Sequence, residues 1–413
     1  MSAIELQREI YHSIRQNRMR TVMSGFGISW GILILVVLLG TGRGFQDSIM
    51  SMFSVFARKS IIVHGNATSQ KYRNIKEGKS ISFDEPYLNL LHSRYPEIAA
   101  ISPEKSSSQL VRHDTRSGVF NIVGVGTDYM HIRILSISDG GRLFNPSDSV
   151  RNVAIIGRNA ESSLFGNKVA LNKFVDIGGT FYRVVGVLKN DDIFSQAEIN
   201  SVYIPFASFI RNINSNIEFR TFCLYLNPDA DSGRFENNLR NYLAHHSSFS
   251  SNDKQAVYIA NFEKQTNAFE SLFKGIRMFI WGVGICFLIS GIVGISNIMF
   301  VVVKERTNEI GIRLAVGALP RSIISLVLLE SVVITTISGL IGLVAGKGIL
   351  LFIDWLLSFS GKDVILQKTS LDVTTAAVAL VILILSGVVA GAFPAIKAST
   401  VEPVDAIRYE NRG

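Results

Sequence analysis

Cysteine, catalytic clusters and, over long stretches, charge are what this sequence lacks. Its 413 residues include two cysteines, Cys223 and Cys286. The first falls in an expected water-exposed domain and the second in an apolar run, so no disulfide framework is implied. Seven histidines show no metal-ligand spacing, and His245 and His246, adjacent on an expected helix, do not easily face one ion. No Ser-His-Asp or paired-carboxylate arrangement can be placed, so neither a catalytic residue nor a metal site is expected. A phosphate-cradling loop is missing as well. "GLVAGKG" at 342–348 has a Gly-Lys pair, but the spacing is wrong, Ser or Thr is missing, and it lies in an apolar run.

Charged residues make up 18% of the chain against 47% hydrophobic ones, and the mean hydropathy is +0.29. Segments 21–42, 278–303, 322–346 and 373–396 contain no Lys, Arg or Asp, and Glu330 is the one Glu inside them. About 20 apolar residues cross a bilayer core as a helix. The expected class is therefore an α-helical membrane protein with four transmembrane helices. The first run follows basic residues, as a signal peptide would. It is longer than a signal core, however, and "LLGTGRGFQDS" offers no small-x-small cleavage site, so it reads as a retained span.

The net charge of +8 is not gathered in a domain that would hold nucleic acid. Much of it flanks the spans. Arg8, Arg15, Arg18 and Arg20 precede the first; Lys304, Arg306, Arg313 and Arg321 lie between the second and third; Lys397, Arg408 and Arg412 follow the last. The positive-inside tendency makes these three regions, and both termini, cytoplasmic. The opposite short loop carries Lys347, Lys362 and Lys368, so the asymmetry there is weak. Residues 44–276 are then expected on the outer side.

The expected organisation follows from these boundaries. Residues 1–20 form a cytoplasmic amphipathic helix with Ile10 and Ile14 on one face, and residues 21–43 the first span. The outer domain, 44–276, alternates strand and helix signals. "SIIVHG", "SSQLVRH" and "GVFNIVGVG" read as strands around a helix at "FDEPYLNLLHSRYPEI", where Asp84 is the N-cap and Pro86 lies in the first turn. Later come the strand "TFCLYL", the helix "SGRFENNLRNYLAHH" and the strand "AVYIA". This order predicts an α+β domain built on a split ferredoxin-like layer. A strand-rich insertion at about 130–220 carries "NVAIIG", "KFVDIGG", "FYRVVGVL" and "SVYIP". From Asn261 to Lys274 a helical pattern runs into the second span without a flexible linker, as a continuous stalk. Residues 277–397 hold three spans, and 398–413 a cytoplasmic tail. Gly282, Gly284, Gly291 and Gly294 thin one side of the second span, as at a dimer interface.

The loop "KERTNEIGIRLAVGALPRSI", 304–323, is charged but apolar in its middle. Thr307 reads as an N-cap, and Glu309 as a first-turn carboxylate four residues before Arg313. Gly317 and Pro320 end the helix. About nine helical residues, or about 14 Å, are too few to persist alone in water, so the apolar side chains call for a partner groove. Glu330, inside the third span, is costly there. Without a second intramembrane acid or His it is read as structural, paired with a buried polar group or protonated.

"KERTNEIGIRLAVGA" resembles the cytoplasmic coupling segment of MacB/FtsX-like ABC transporter permeases. Glu305, Arg306, Thr307, Glu309, Ile310, Gly311, Ile312, Arg313, Ala315, Gly317 and Ala318 match its pattern. "IRQNRMRTVMSGFGISWGI" is similar to the family's approach to its first span, though "VMSGF" departs from the usual Leu-Thr-x-Leu run. "FPAIKASTVEPVDAIRYE" resembles its closing motif, with Ile407 in place of Leu. "GRLF", "VAIIGRNAESSLFG" and "FYRVVGVL" are similar to the MacB-type periplasmic core.

The resemblance implies a permease of the bacterial inner membrane that works as a homo- or heterodimer. ATP and Mg would be bound by a partner ABC ATPase docking on 304–323, and this chain would itself be no enzyme. A periplasmic adaptor and an outer-membrane channel are further expected partners. The implied activity is export of drugs, peptides or lipoproteins by movement transmitted to the outer domain. The alternative is an FtsX-like regulator that transports nothing and controls a cell-wall hydrolase. The large two-part outer domain favours export.

Overall fold

The computed structural model of the protein describes residues 18–53, 56–74, 76–166, 168–189, 196–359 and 373–400. The expected amphipathic N-terminal helix and the tail beyond residue 400 lie outside the described residues. Two compact units emerge. One contains Met1–Ser48 and Leu272–Gly413, the other Ile49–Ser271.

The first unit is a bundle of apolar helices. Helix α1 (Arg18–Phe53) carries the first span. Later in the chain come α8 (Phe262–Glu305), whose first residues lie in the second unit, α9 (Thr307–Ala315), α10 (Pro320–Ser358) and α11 (Val373–Ser399). Windows of α1, α8, α10 and α11 are long and apolar enough to cross a membrane, and α8, at 44 residues, is about 66 Å long. The expected stalk is thus the first part of the same unbroken helix that holds the second span.

Small residues let these helices approach. Gly387 and Gly391 of α11 lie against Thr335 and Ser331 of α10, and the Ser331 hydroxyl donates to the Gly387 carbonyl at 2.9 Å. Such pairs replace the hydrophobic drive that lipid cannot supply. Gly284 and Gly291, expected at a dimer interface, face Leu35 and Ile28 of α1 in the same chain. Their lack of a side chain is used within the bundle. A Cβ at Gly282 or Gly294 would meet nothing within 4 Å.

Among its described residues the second unit is built on nine strands: β1 (Ser60–Gly65), β2 (Ile98–His113), β3 (Arg116–Val125), β4 (Val153–Ile156), β5 (Phe174–Ile177), β6 (Thr180–Val187), β7 (Ser201–Pro205), β8 (Thr221–Leu226) and β9 (Val257–Asn261). The order β2-β8-β1-β9, antiparallel throughout, forms the ferredoxin-like layer. Helices α2 (Glu85–Arg94) and α7 (Ser232–His246) belong to it, and the short helices α3 (Tyr129–Ile132), α4 (Arg158–Phe165), α5 (Gln196–Ile199) and α6 (Phe206–Asn212) lie between β3 and β8 in the chain. Asp84 caps α2 as expected, accepting from the Tyr87 amide at 2.9 Å, and α7 spans the expected stretch. Leu88 and Leu91 of α2 and Leu239 and Leu243 of α7 share a core with Ile61, Val63, Phe222 and Leu224 of the sheet.

The strand-rich part is a ring. Strands β3-β7-β4-β6-β5-β2 pair in sequence, and β2 pairs again with β3. The 16-residue β2 serves both parts, because its first half pairs with β8 and its second half with β3 and β5. β3, which reads in the sequence as a strand before the insertion, joins this ring through parallel pairing with β7. Alternate residues of β3, β4, β6 and β7 separate into two cores. Ile122, Ile156, Val184 and Val202 pack on one side, while Val123, Ile155, Val185 and Tyr203 pack on the other. Burial on both faces explains the uninterrupted apolar "VAII" of β4. Both cysteines are free, and burial pushes the Cys223 thiol well above its ordinary value.

Candidate functional site

The loop between α8 and α10 is the place to build from, because a charged segment here interrupts an otherwise apolar bundle. Helix α8 stops at Glu305 and the chain turns at Arg306, with φ −98° and ψ 13°. The break is slight: the Arg306 amide still donates to the Val302 carbonyl at 3.0 Å, and the Ile310 amide to the Arg306 carbonyl at 3.0 Å. Thr307 is therefore not an N-cap. Its hydroxyl donates backward to the Lys304 and Val303 carbonyls, at 2.8 and 3.1 Å. Because the chain arrives already helical, Thr307 behaves as a mid-helix threonine bonded to the preceding turn.

The far end behaves as its sequence demands. The Ala318 amide donates to the Arg313 carbonyl at 3.0 Å and the Gly317 amide to the Leu314 carbonyl at 3.1 Å. Gly317 stands at φ +97°. This paired pattern closes a helix around a left-handed residue, which glycine adopts without strain. Pro320 then opens α10, where its missing N–H costs nothing. Helix α9 has the expected nine residues.

The two faces of α9 differ. Ile310 and Gly311 are buried, and Ile310 joins the bundle core with Met299, Val303, Ile323 and Val327. Glu305, Glu309 and Ala315 are exposed, while Thr307, Arg313 and Ala318 are half-buried. Also outward are Ile312, Val316 and the following Leu319, which are 50%, 84% and 72% exposed. Leu319 escaped the sequence reading because it lies beyond the helix-ending glycine. Its apolar character next to Val316 was the available signal.

Arg306 points inward. Its Nη1 lies 3.6 Å from Oε2 of Glu330, and the two side chains are 24% and 6% exposed. The intramembrane carboxylate and the first arginine of the loop are thus one feature. Met299, Val303, Ile310 and Val327, together with Glu309 and Arg313, line a space of about 20 Å³ beside the pair. No cluster of three or more His, Cys, Asp or Glu able to hold a metal occurs among the described residues.

This geometry can be set beside known proteins. Residues 21–242 match the MacB-like periplasmic core domain, and residues 281–403 the FtsX-like permease C-terminal domain. The chain belongs to the MacB/FtsX-like permease family. Its relatives include the macrolide export ATP-binding/permease protein MacB of Bdellovibrio bacteriovorus, 26% identical over 98% of this chain and 62% of that protein. The MacB of Psychrobacter arcticus is 28% identical over 96% of this chain and 58% of its own length. The chain therefore spans about three fifths of the length of these curated relatives. Among solved structures, the periplasmic region of MacB from Actinobacillus actinomycetemcomitans covers 52% of this chain and 95% of its own, at 18% identity and a TM-score of 0.43. As a MacB/FtsX-like permease, the chain is a membrane protein of the ABC transporter class. Its loop 304–323 lies inside the FtsX-like match.

Proposed function

We propose that this MacB/FtsX-like permease is the membrane component of an ATP-driven exporter, and that α9 and the turn after it form the surface an ABC ATPase grips. The observation that carries the reading is the outward trio Ile312, Val316 and Leu319. These side chains project from a short helix and the turn after it, and the helix's other face is already anchored in the bundle. A nine-residue helix does not hold itself together in water, and apolar side chains in a loop that also exposes Glu305, Glu309 and Arg321 suit a protein groove with a charged rim.

On this reading the ATPase binds ATP and Mg, and the loop and both termini are cytoplasmic. The inter-span domain is periplasmic, and the membrane crossed is the bacterial inner membrane. The permease acts as a dimer, with an adaptor and an outer-membrane channel as further partners. The cargo class is drugs, peptides or lipoproteins, in keeping with relatives named for macrolide export. Helix α8 carries stalk and span in one element free of proline, which suits conveying ATP-driven movement along the chain.

The test is capture of a co-expressed ABC ATPase by the tagged, lipid-reconstituted chain. Wild type should retain the ATPase, and Arg313→Glu should insert normally but release it. Failure of wild type to retain any ABC ATPase from its own genome, or undiminished capture by Arg313→Glu, refutes the reading.

A further inference from the structure

Glu330 is the eleventh residue of α10, about 15 Å along that helix from its start. A carboxylate at such a place in an apolar span is unfavourable unless something compensates it. Its partner Arg306 comes from outside α10, at the break where α8 gives way to α9. The contact thus ties the third span to the first arginine of the loop.

The apolar anchor of helix α9 is short. Ile310 and Gly311 are its buried residues, with Leu314 packed partly against the core. The direction in which Ile312 and Val316 project depends on how the turn at Arg306 is held. The space beside the pair is about 20 Å³, room for about one water, so bulk solvent screens the contact little.

We propose that Glu330 is a positioning residue: through Arg306 it sets the orientation in which α9 presents its outward apolar side chains to a partner. The positioning itself concerns this chain alone. Its consequence for ATPase binding rests on the docking reading above.

The experiment measures amide hydrogen exchange over residues 307–316 in the full chain in lipid nanodiscs. Arg306→Gln, Glu330→Gln and the double variant are compared with wild type. Each single substitution should speed exchange in this segment by about tenfold or more, with exchange in the rest of α10 unchanged. The double variant should be no worse than the more affected single, because both act through one contact.

Unchanged exchange in the single variants overturns the proposal, as does a double variant in which the two effects multiply. Should Glu330→Gln fail to insert, Arg306→Gln decides alone. Faster exchange over 307–316 with α10 unaltered supports the proposal, and unaltered exchange over 307–316 overturns it. ATPase affinity measured on the same samples separates the two readings. If wild type binds no ATPase, the docking reading falls, and the exchange data still decide the positioning role.

Discussion

Truncating the outward apolar tip should weaken ATPase binding by a calculable amount. Val316→Ala removes two methyl groups from a residue that is 84% exposed. At about 0.8 kcal/mol for each group a partner covers, scaled by the fraction exposed, the loss is about 1.3 kcal/mol, or about tenfold in Kd. Leu319→Ala removes three carbons from a residue that is 72% exposed, so about 1.7 kcal/mol and about twentyfold are expected. The two residues share one surface, so the double variant should fall short of the product. Neither side chain is buried in the bundle, so thermal stability of the permease should stay within about 0.5 kcal/mol of wild type. The assay is titration of the ATPase onto permease in nanodiscs, with Val344→Ala as control, because Val344 is similarly exposed but lies within the third span. A Kd moved by less than about twofold in both tip variants would refute the docking surface. Equal weakening by Val344→Ala would show that the effect is not local.

Two predictions concern the scaffold. A Cβ on Gly342 would overlap the backbone carbonyl of Ser29, while one on Gly284 would overlap only the terminal methyl of Leu35; Gly342→Ala should therefore cost about 1–3 kcal/mol in detergent unfolding and Gly284→Ala much less, and the reverse ranking would disprove this packing of α1. Asp253 is subject to burial, which raises its pKa, but donation from the Ser69 hydroxyl and the Ser69, Ala256 and Gln255 amides outweighs this and holds the carboxyl below its ordinary value. Its stabilising contribution is then complete above about pH 4, the ordinary carboxylate value, and is lost as pH falls through the folded value. Proteolysis within 66–80 should accelerate in acid for wild type, whereas Asp253→Asn should be cut faster already at pH 7 with a flatter pH response; identical pH profiles would contradict this.

What was legible in the sequence was whatever depends on composition and short-range periodicity. The spans follow from the absence of charge, α7 from its spacing, the Asp84 cap from a side chain three residues from its donor, and the end of α9 from Gly317. What stayed hidden depends on distant pairing. Ring closure requires Asn121 beside Ser201, and no local pattern announces that β3 will find β7. The Arg306–Glu330 contact joins residues in different helices. The sequence showed an intramembrane acid in need of a partner and several loop cations, without selecting one. Thr307 departs from the expected N-cap because local capping chemistry assumes a chain that arrives extended, and here it arrives helical from α8.

The sharing of β2 between layer and ring has a consequence for the order of folding. Strand β1 pairs with β8 and β9, so Ser60 must wait for Tyr225. A loop of that length is slow to close when its chain is unstructured. The ring, by contrast, is complete within residues 98–205 and contains the tight β2–β3 hairpin as a local start. Once closed, it brings the chain on either side of it together and leaves the first half of β2 as a ready template for β8, beginning at Ile98 opposite Leu226. The topology thus favours the ring as the local starting point of folding, with the layer that shares β2 assembling after it.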